Sequence, residues 1–237
     1  MKPITTKRPA EERGQADHGW LQARFTFSFS GYYDPNHMGF RSLRVMNNDT
    51  VQPGGGFPTH PHDNMEIFTY IIEGQLEHRD SMGNGSTIKA GNLQYMSAGA
   101  GVRHSEFNPS KENLTHLYQI WLQPNESGGE PRYAEKPLGD GAGEDSLTLL
   151  FSGDGRDGST AIRQDAEIYF GRAAAGAKLA VPASESTPDA WLQVISGEVS
   201  VLDQSLKTGD GLAIEEAPNS FEIEASQDSQ WLLFRLS

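Results

Sequence analysis

The chain contains no cysteine. That absence excludes disulfides, thiolate metal ligands and cysteine nucleophiles, so any bound metal must take nitrogen and oxygen donors. No apolar run is long enough to span a bilayer, and Met1-Lys2-Pro3-Ile4-Thr5-Thr6-Lys7-Arg8 leads into polar residues, not into the apolar core of a secretion signal. A cytoplasmic protein is expected. Basic residues are scarce, 19 against 32 acidic, for a net charge of −13. The acidic excess is not confined to one tail, and no basic patch offsets it. Such a surface repels phosphate backbones and anionic membranes, so direct nucleic-acid binding and membrane association are not expected. The second half also lacks histidine, since all seven lie at or before position 116.

What is present concentrates between Gly54 and Gly74, around Thr59-His60-Pro61-His62-Asp63-Asn64-Met65-Glu66. On an extended segment, residues two apart project to the same face, so both imidazoles can reach one point. Gly99-Ala100-Gly101-Val102-Arg103-His104-Ser105-Glu106-Phe107-Asn108 repeats the device with a histidine and a carboxylate two apart. Three imidazoles and one carboxylate from two strands would hold a borderline first-row metal and leave coordination positions open. Glu66, Phe68, Tyr70 and Ile72 share the parity of His60 and His62. Without an intervening bulge this predicts that Glu66 lies near the histidines on the inward face. His78 and His116 read as exposed or hydrogen-bonded structural residues in preference to lining the pocket; His18 and His37 carry no functional weight.

A chain of 237 residues fits one large or two small domains, and the strand pattern decides. Phe25-Thr26-Phe27-Ser28-Phe29 alternates like a half-buried strand whose phenylalanines belong to a core. Leu43 to Asp49, Glu66 to Ile72, Gln75 to His78, Gly91 to Met96 and His116 to Leu122 follow, with turn residues between them. Pro53 and the glycines at 54, 55 and 56 read as a turn; no Lys-Ser/Thr follows to make a phosphate loop. From Pro124 to Glu144 the composition shifts to Pro, Gly and acidic residues, which predicts a connector.

Strands resume at Leu147–Phe151, Glu167–Phe170, Trp191–Ile195 and Trp231–Arg235. Gln193-Val194-Ile195-Ser196-Gly197-Glu198-Val199 echoes Tyr70-Ile71-Ile72-Glu73-Gly74-Gln75-Leu76, so the chain reads as internally duplicated. The expected layout is all-β: a metal-binding barrel over 1–125, a connector over 126–146 and a second barrel over 147–237 that has no histidine to offer.

Gly54, His60, His62, Glu66 and Gly74 resemble the first cupin motif, with one extra residue before the last glycine. Gly91, Gly101, His104 and Asn108 resemble the second, with a longer gap and Gly99 where proline is usual. Those departures, with Phe25–Phe29, Tyr32-Tyr33-Asp34-Pro35, His60-Pro61-His62, His104-Ser105-Glu106 and His116–Trp121, resemble the pirin family, notably the bacterial pirin-like quercetin 2,3-dioxygenases. The likeness covers nearly all of the first half and extends to the second in general layout.

The resemblance implies a bicupin of two tandem jelly-roll barrels, with one divalent metal in the N-terminal barrel. The residues matching its ligands are His60, His62, His104 and Glu106. In most other cupins the carboxylate ligand is the one at Glu66; here Glu106 is preferred because it shares a strand face with His104. Glu66 is then read as an acceptor orienting an imidazole, in preference to a carboxylate salt-bridged elsewhere.

Iron is the first expectation for the ion, with nickel, copper, cobalt, manganese and zinc also suited to the donors. The implied activity is oxidative opening of a flavonol's heterocycle with dioxygen and release of carbon monoxide, with Glu106 doubling as base. The resemblance also carries two alternatives: a redox-responsive regulator acting on a protein partner, and a metal-bound storage or structural bicupin.

Overall fold

The computed structural model describes residues 3–138, 145–184, 186–218 and 220–237. Its first twelve strands are β1 (Ile4–Arg8), β2 (Gly14–Asp17), β3 (Leu21–Phe25), β4 (Leu43–Val51), β5 (Gly56–His62), β6 (Glu66–Glu73), β7 (Gln75–Asp80), β8 (Gly85–Lys89), β9 (Asn92–Ser97), β10 (Val102–Phe107), β11 (Thr115–Leu122) and β12 (Arg132–Pro137). Ten more follow, and two three-residue 3-10 turns are the helical elements among the described residues.

Two compact units form, one of Gly14–Asp140 and one of Met1–Arg13 with Gly141–Ser237. The all-β, two-unit expectation holds in outline, but the strand pairings draw different limits. β1 pairs with Gly211–Glu215 of the second unit, so the first residues do not belong to the N-terminal barrel. β12 lies inside the stretch expected as connector, yet it pairs with β9 from Arg132 opposite Ser97 to Pro137 opposite Asn92. The surrounding Pro, Gly and acidic residues hid a short edge strand, and an edge is where a sheet tolerates proline. Residues 139–144 of that stretch lie outside the described residues.

In the first unit a seven-stranded sheet, β12-β9-β6-β11-β4-β3-β2, and a four-stranded sheet, β5-β10-β7-β8, supply the walls. β10 shows the period that builds them: Val102, His104 and Glu106 are buried while Arg103 and Phe107 are exposed. Two apolar clusters share the interior, one including Leu21, Phe25, Val51, Ile71, Leu76, Ile88 and Leu117, the other Ile67, Met96, Ala98 and Val102. The strand read at Phe25–Phe29 ends at Phe25. Beyond it the chain turns back through a single bridge between Phe29 and Tyr32, although Phe25 and Phe27 are buried as expected.

The second unit repeats the plan with seven- and four-stranded sheets. In its smaller sheet Lys178–Val181 pairs with Phe221–Ala225, which pairs with Glu198–Val201, as β5, β10 and β7 pair in the first unit. Gly74 and Gly197 mark equivalent bends, with φ of 76° and 84°. A Cβ on Gly74 would also strike the Leu114 carbonyl oxygen. Gly74→Ala is expected to cost about 1–3 kcal/mol in denaturant unfolding. Gly83→Ala, where φ is 94° but space is open, is expected to cost less; an equal loss at both would remove the carbonyl from the account.

Candidate metal centre

Pairing of β5 with β10 sets His60 opposite His104 and His62 opposite Val102. The three imidazoles therefore converge, with ring centroids 4.4 Å apart for His60 and His104, 4.7 Å for His60 and His62, and 4.9 Å for His62 and His104. One donor nitrogen from each lies within 4.8 Å of the others. His104 is buried, while His60 and His62 are half-buried and open the cluster toward solvent.

The tautomers follow from the partners. His60 Nδ1 lies 2.9 Å from the Pro58 carbonyl, which can only accept, so Nδ1 carries the hydrogen and Nε2 is a bare donor. That Nε2 is 3.0 Å from His104 Nε2, and His104 Nδ1 is buried without a hydrogen-bond partner. Burial first, then the charge that neighbouring imidazoles would carry, pushes His62 down to about 4 and His104 down to about 3. Both rings are neutral at physiological pH, and with its hydrogen on the unpartnered Nδ1 His104 would offer its Nε2 lone pair beside that of His60. This donor set fits a divalent first-row ion.

Glu106, buried, turns inward on the same face as His104, and its oxygens accept from Thr69 Oγ1 at 3.3 Å and Gln119 Nε2 at 3.2 Å. Its carboxylate lies within 4.8 Å of donors on His104 and His78 in a second, fully buried group of three. His78 is buried and not exposed, with Gln94 Nε2 2.8 Å from its Nδ1 and Asp80 Oδ2 3.4 Å from its Nε2. His116 also has a partner, Asn48 Nδ2 at 2.8 Å from its Nε2. The closeness of His78 to Glu106 and His104 was not legible in the sequence. The alternation of Leu76, His78 and Asp80 along β7 signals a shared face, but nothing local says which strand that face meets.

Glu66 is not where parity put it. Asn64, at φ 48°, takes a left-handed conformation between β5 and β6 and resets the alternation. Ile67 and Thr69 face the interior, and Glu66 points to the other face of β6, where it accepts from Tyr95 and Ser97 hydroxyls. It does not orient an imidazole. Trp121, from β11, packs edge-on to His62 at 5.0 Å and to Phe29 at 5.4 Å, giving the cluster one apolar wall.

The model of the pirin family matches residues 6–122, and that of the quercetinase C-terminal cupin domain matches residues 149–236. A pirin-like protein of Caulobacter vibrioides is 38% identical over 96% of this chain and 97% of its own. The chain belongs to the pirin family. Another member, quercetin 2,3-dioxygenase of Escherichia coli K12, is 47% identical, with 97% of each chain covered. The bacterial pirin YhhW of Escherichia coli in complex with nickel(II) superposes with a TM-score of 0.92 at 45% identity, covering 98% of this chain and 99% of that one. The cupin fold implied by the sequence motifs is thereby established for this pirin.

The depressed histidines carry a stability consequence with a definite sign. Their folded pKa values lie below the ordinary 6.5, so the unfolded state binds more protons between about 6.5 and about 3 to 4. Stability of the metal-stripped protein must fall as pH falls through that window. A His62→Gln/His104→Gln variant is expected to lose less of its melting temperature between pH 7 and 4.5 than the parent. Parallel pH profiles for the two proteins would contradict this.

Proposed function

We propose that this pirin is a metal-dependent dioxygenase that opens the heterocycle of a flavonol such as quercetin, consuming dioxygen and releasing carbon monoxide. The observation that carries the reading is the convergence of three imidazoles beside a buried carboxylate. His60, His62 and His104 would hold the ion, with Glu106 completing its ligands. A bound divalent ion supplies Lewis acidity, which makes the flavonol 3-hydroxyl more acidic, and a common point for flavonolate and dioxygen.

The protein's own groups do the rest. The Pro58 carbonyl fixes the tautomer and ring plane of His60, as an acceptor behind a metal-binding imidazole does. Half-exposure of His60 and His62 leaves the solvent side for substrate, and the Trp121 face offers an apolar surface to an aromatic ring. Glu106 accepts the hydroxyl proton, and Thr69 and Gln119 aim its two oxygens by donating to them.

His104→Ala is expected to abolish both metal content and turnover. Glu106→Gln keeps the three imidazoles and the donors around it. Its turnover is expected to fall by about 10²- to 10⁴-fold with metal retained. The check is elemental analysis on the same sample as oxygen uptake and carbon monoxide release with quercetin. Full activity in a metal-depleted protein would end the proposal.

A further inference from the structure

The inner face of the four-stranded sheet carries more donors than one centre needs. β10 pairs on its other side with β7, setting Glu106 opposite His78 and His104 opposite Asp80. His78, His104 and Glu106 thus form a second group of donors within 4.8 Å of one another, entirely buried and sharing His104 with the first. His78 has no exposed surface, and its ring lies 5.2 Å from that of His104.

The second unit shows that the fold does not require these residues. The bends at Gly74 and Gly197 are equivalent, and Asn108 and Ala225 make the same backbone hydrogen bonds, so Val201, four residues past Gly197, stands where His78, four past Gly74, does. Val201 is buried, as are Phe221 and Ile223 on the neighbouring strand. An apolar residue thus stands where His78 does, and the sheet forms. A buried imidazole in its place has a chemical role to account for it.

Two unpartnered atoms point the same way. His104 Nδ1 and Gln94 Oε1 are buried without hydrogen bonds, and Gln94 is the residue that touches His78 Nδ1. A half-turn of the Gln94 carboxamide presents Oε1 to a hydrogen on His78 Nδ1. That leaves His78 Nε2 without a hydrogen and 3.4 Å from the Asp80 carboxylate, a contact between two acceptors that a cation beside Nε2 would relieve.

We infer that the barrel has a second, inner cation position formed by His78, His104 and Glu106, which one divalent ion occupies in alternation with the outer histidine cluster. The inference rests on the metal-centre reading above and extends it. Sharing of His104, and the repulsion of two doubly charged ions a few ångströms apart, prevent both positions from filling together. Donor separations must close to about 3.3 Å around a tetrahedral ion, a movement within reach of side-chain rotation. His104 and Glu106 serve both positions; the outer one adds His60, His62 and solvent-facing vacancies. The inner one adds only the buried His78 and gives no access for substrate, so it holds the ion in a non-catalytic place.

The test uses cobalt(II), whose visible spectrum reports its donors, with equilibrium dialysis for stoichiometry. His60→Ala/His62→Ala removes the outer cluster. It is expected to retain one equivalent of cobalt with a changed spectrum and no turnover. Adding His78→Leu or, separately, Glu106→Gln to that variant is expected to weaken binding by more than about 100-fold. Circular dichroism confirms that each variant is folded, and Glu106→Gln keeps the core volume should His78→Leu not fold. A double variant that binds no cobalt while the parent binds one equivalent overturns the inner position and leaves the outer centre standing. Retention of cobalt in both triple variants overturns it equally. A parent protein that binds no cobalt ends both readings.

Discussion

β10 is hydrogen-bonded on one side to β5 and on the other to β7, and the polar interior of the first unit depends on that double pairing. Because the side-chain period is two, Val102, His104 and Glu106 face inward together, and each neighbour brings its own inward residues against them. A slip of one residue in either register would turn the histidines outward. The pairing with β5 contains a bulge: His104 lies opposite His60 but Glu106 lies opposite Phe57. Pro58 and Thr59 together oppose Ser105 there, and the Pro58 carbonyl accepts from His60. A bulge that re-aims side chains beside a chemical site is a recurring device of sheets.

A polar layer inside a barrel is costly unless it is satisfied, at about 1–3 kcal/mol for each buried group left without a partner. The facing sheet meets that demand for most of the layer. Thr69 and Gln119 donate to Glu106, and Gln94 contacts His78. Apolar clusters around Ile71, Leu76 and Leu117, and around Ile67, Met96 and Val102, share the interior with these groups. The second unit repeats the sheet plan around an apolar cluster of Val181, Val199, Ile223 and their neighbours. The scaffold therefore forms without histidines in the second unit, which leaves those of the first free for the role proposed for them.

What the sequence made legible was whatever depends on short-range spacing. His60 with His62, and His104 with Glu106, are two apart on single strands, and the turns at Gly54 and at Asp80 to Gly85 carry their own residue signals. What it hid depends on pairing between distant segments or on one backbone angle. Parity carried across Asn64 put Glu66 on the wrong face, because a single left-handed residue resets the count. Nothing near Ile4–Arg8 announces that it will add to an edge strand some 200 residues away, and nothing near Tyr133 announces that it will pair with Met96. The sequence offered His78 as an exposed or hydrogen-bonded structural residue before a pocket-lining one, since its nearness to Glu106 is a matter of strand order.

Glu106 is held by hydrogen bonds of 3.2 and 3.3 Å, at the long end of the usual range, from two neutral donors. Neutral bonds of this kind contribute about 1 kcal/mol each, whereas a carboxylate's attraction to a divalent ion in a water-poor interior is several times larger. Thr69 and Gln119 are therefore a rest for this side chain and not a lock. With no ion near, they satisfy the buried charge. Under the proposed function, an ion at the histidines would draw the carboxylate off them at small cost. A tighter hold, by arginine for instance, would have fixed Glu106 away from the imidazoles; the weak neutral pair keeps a buried acid both paired and free to move.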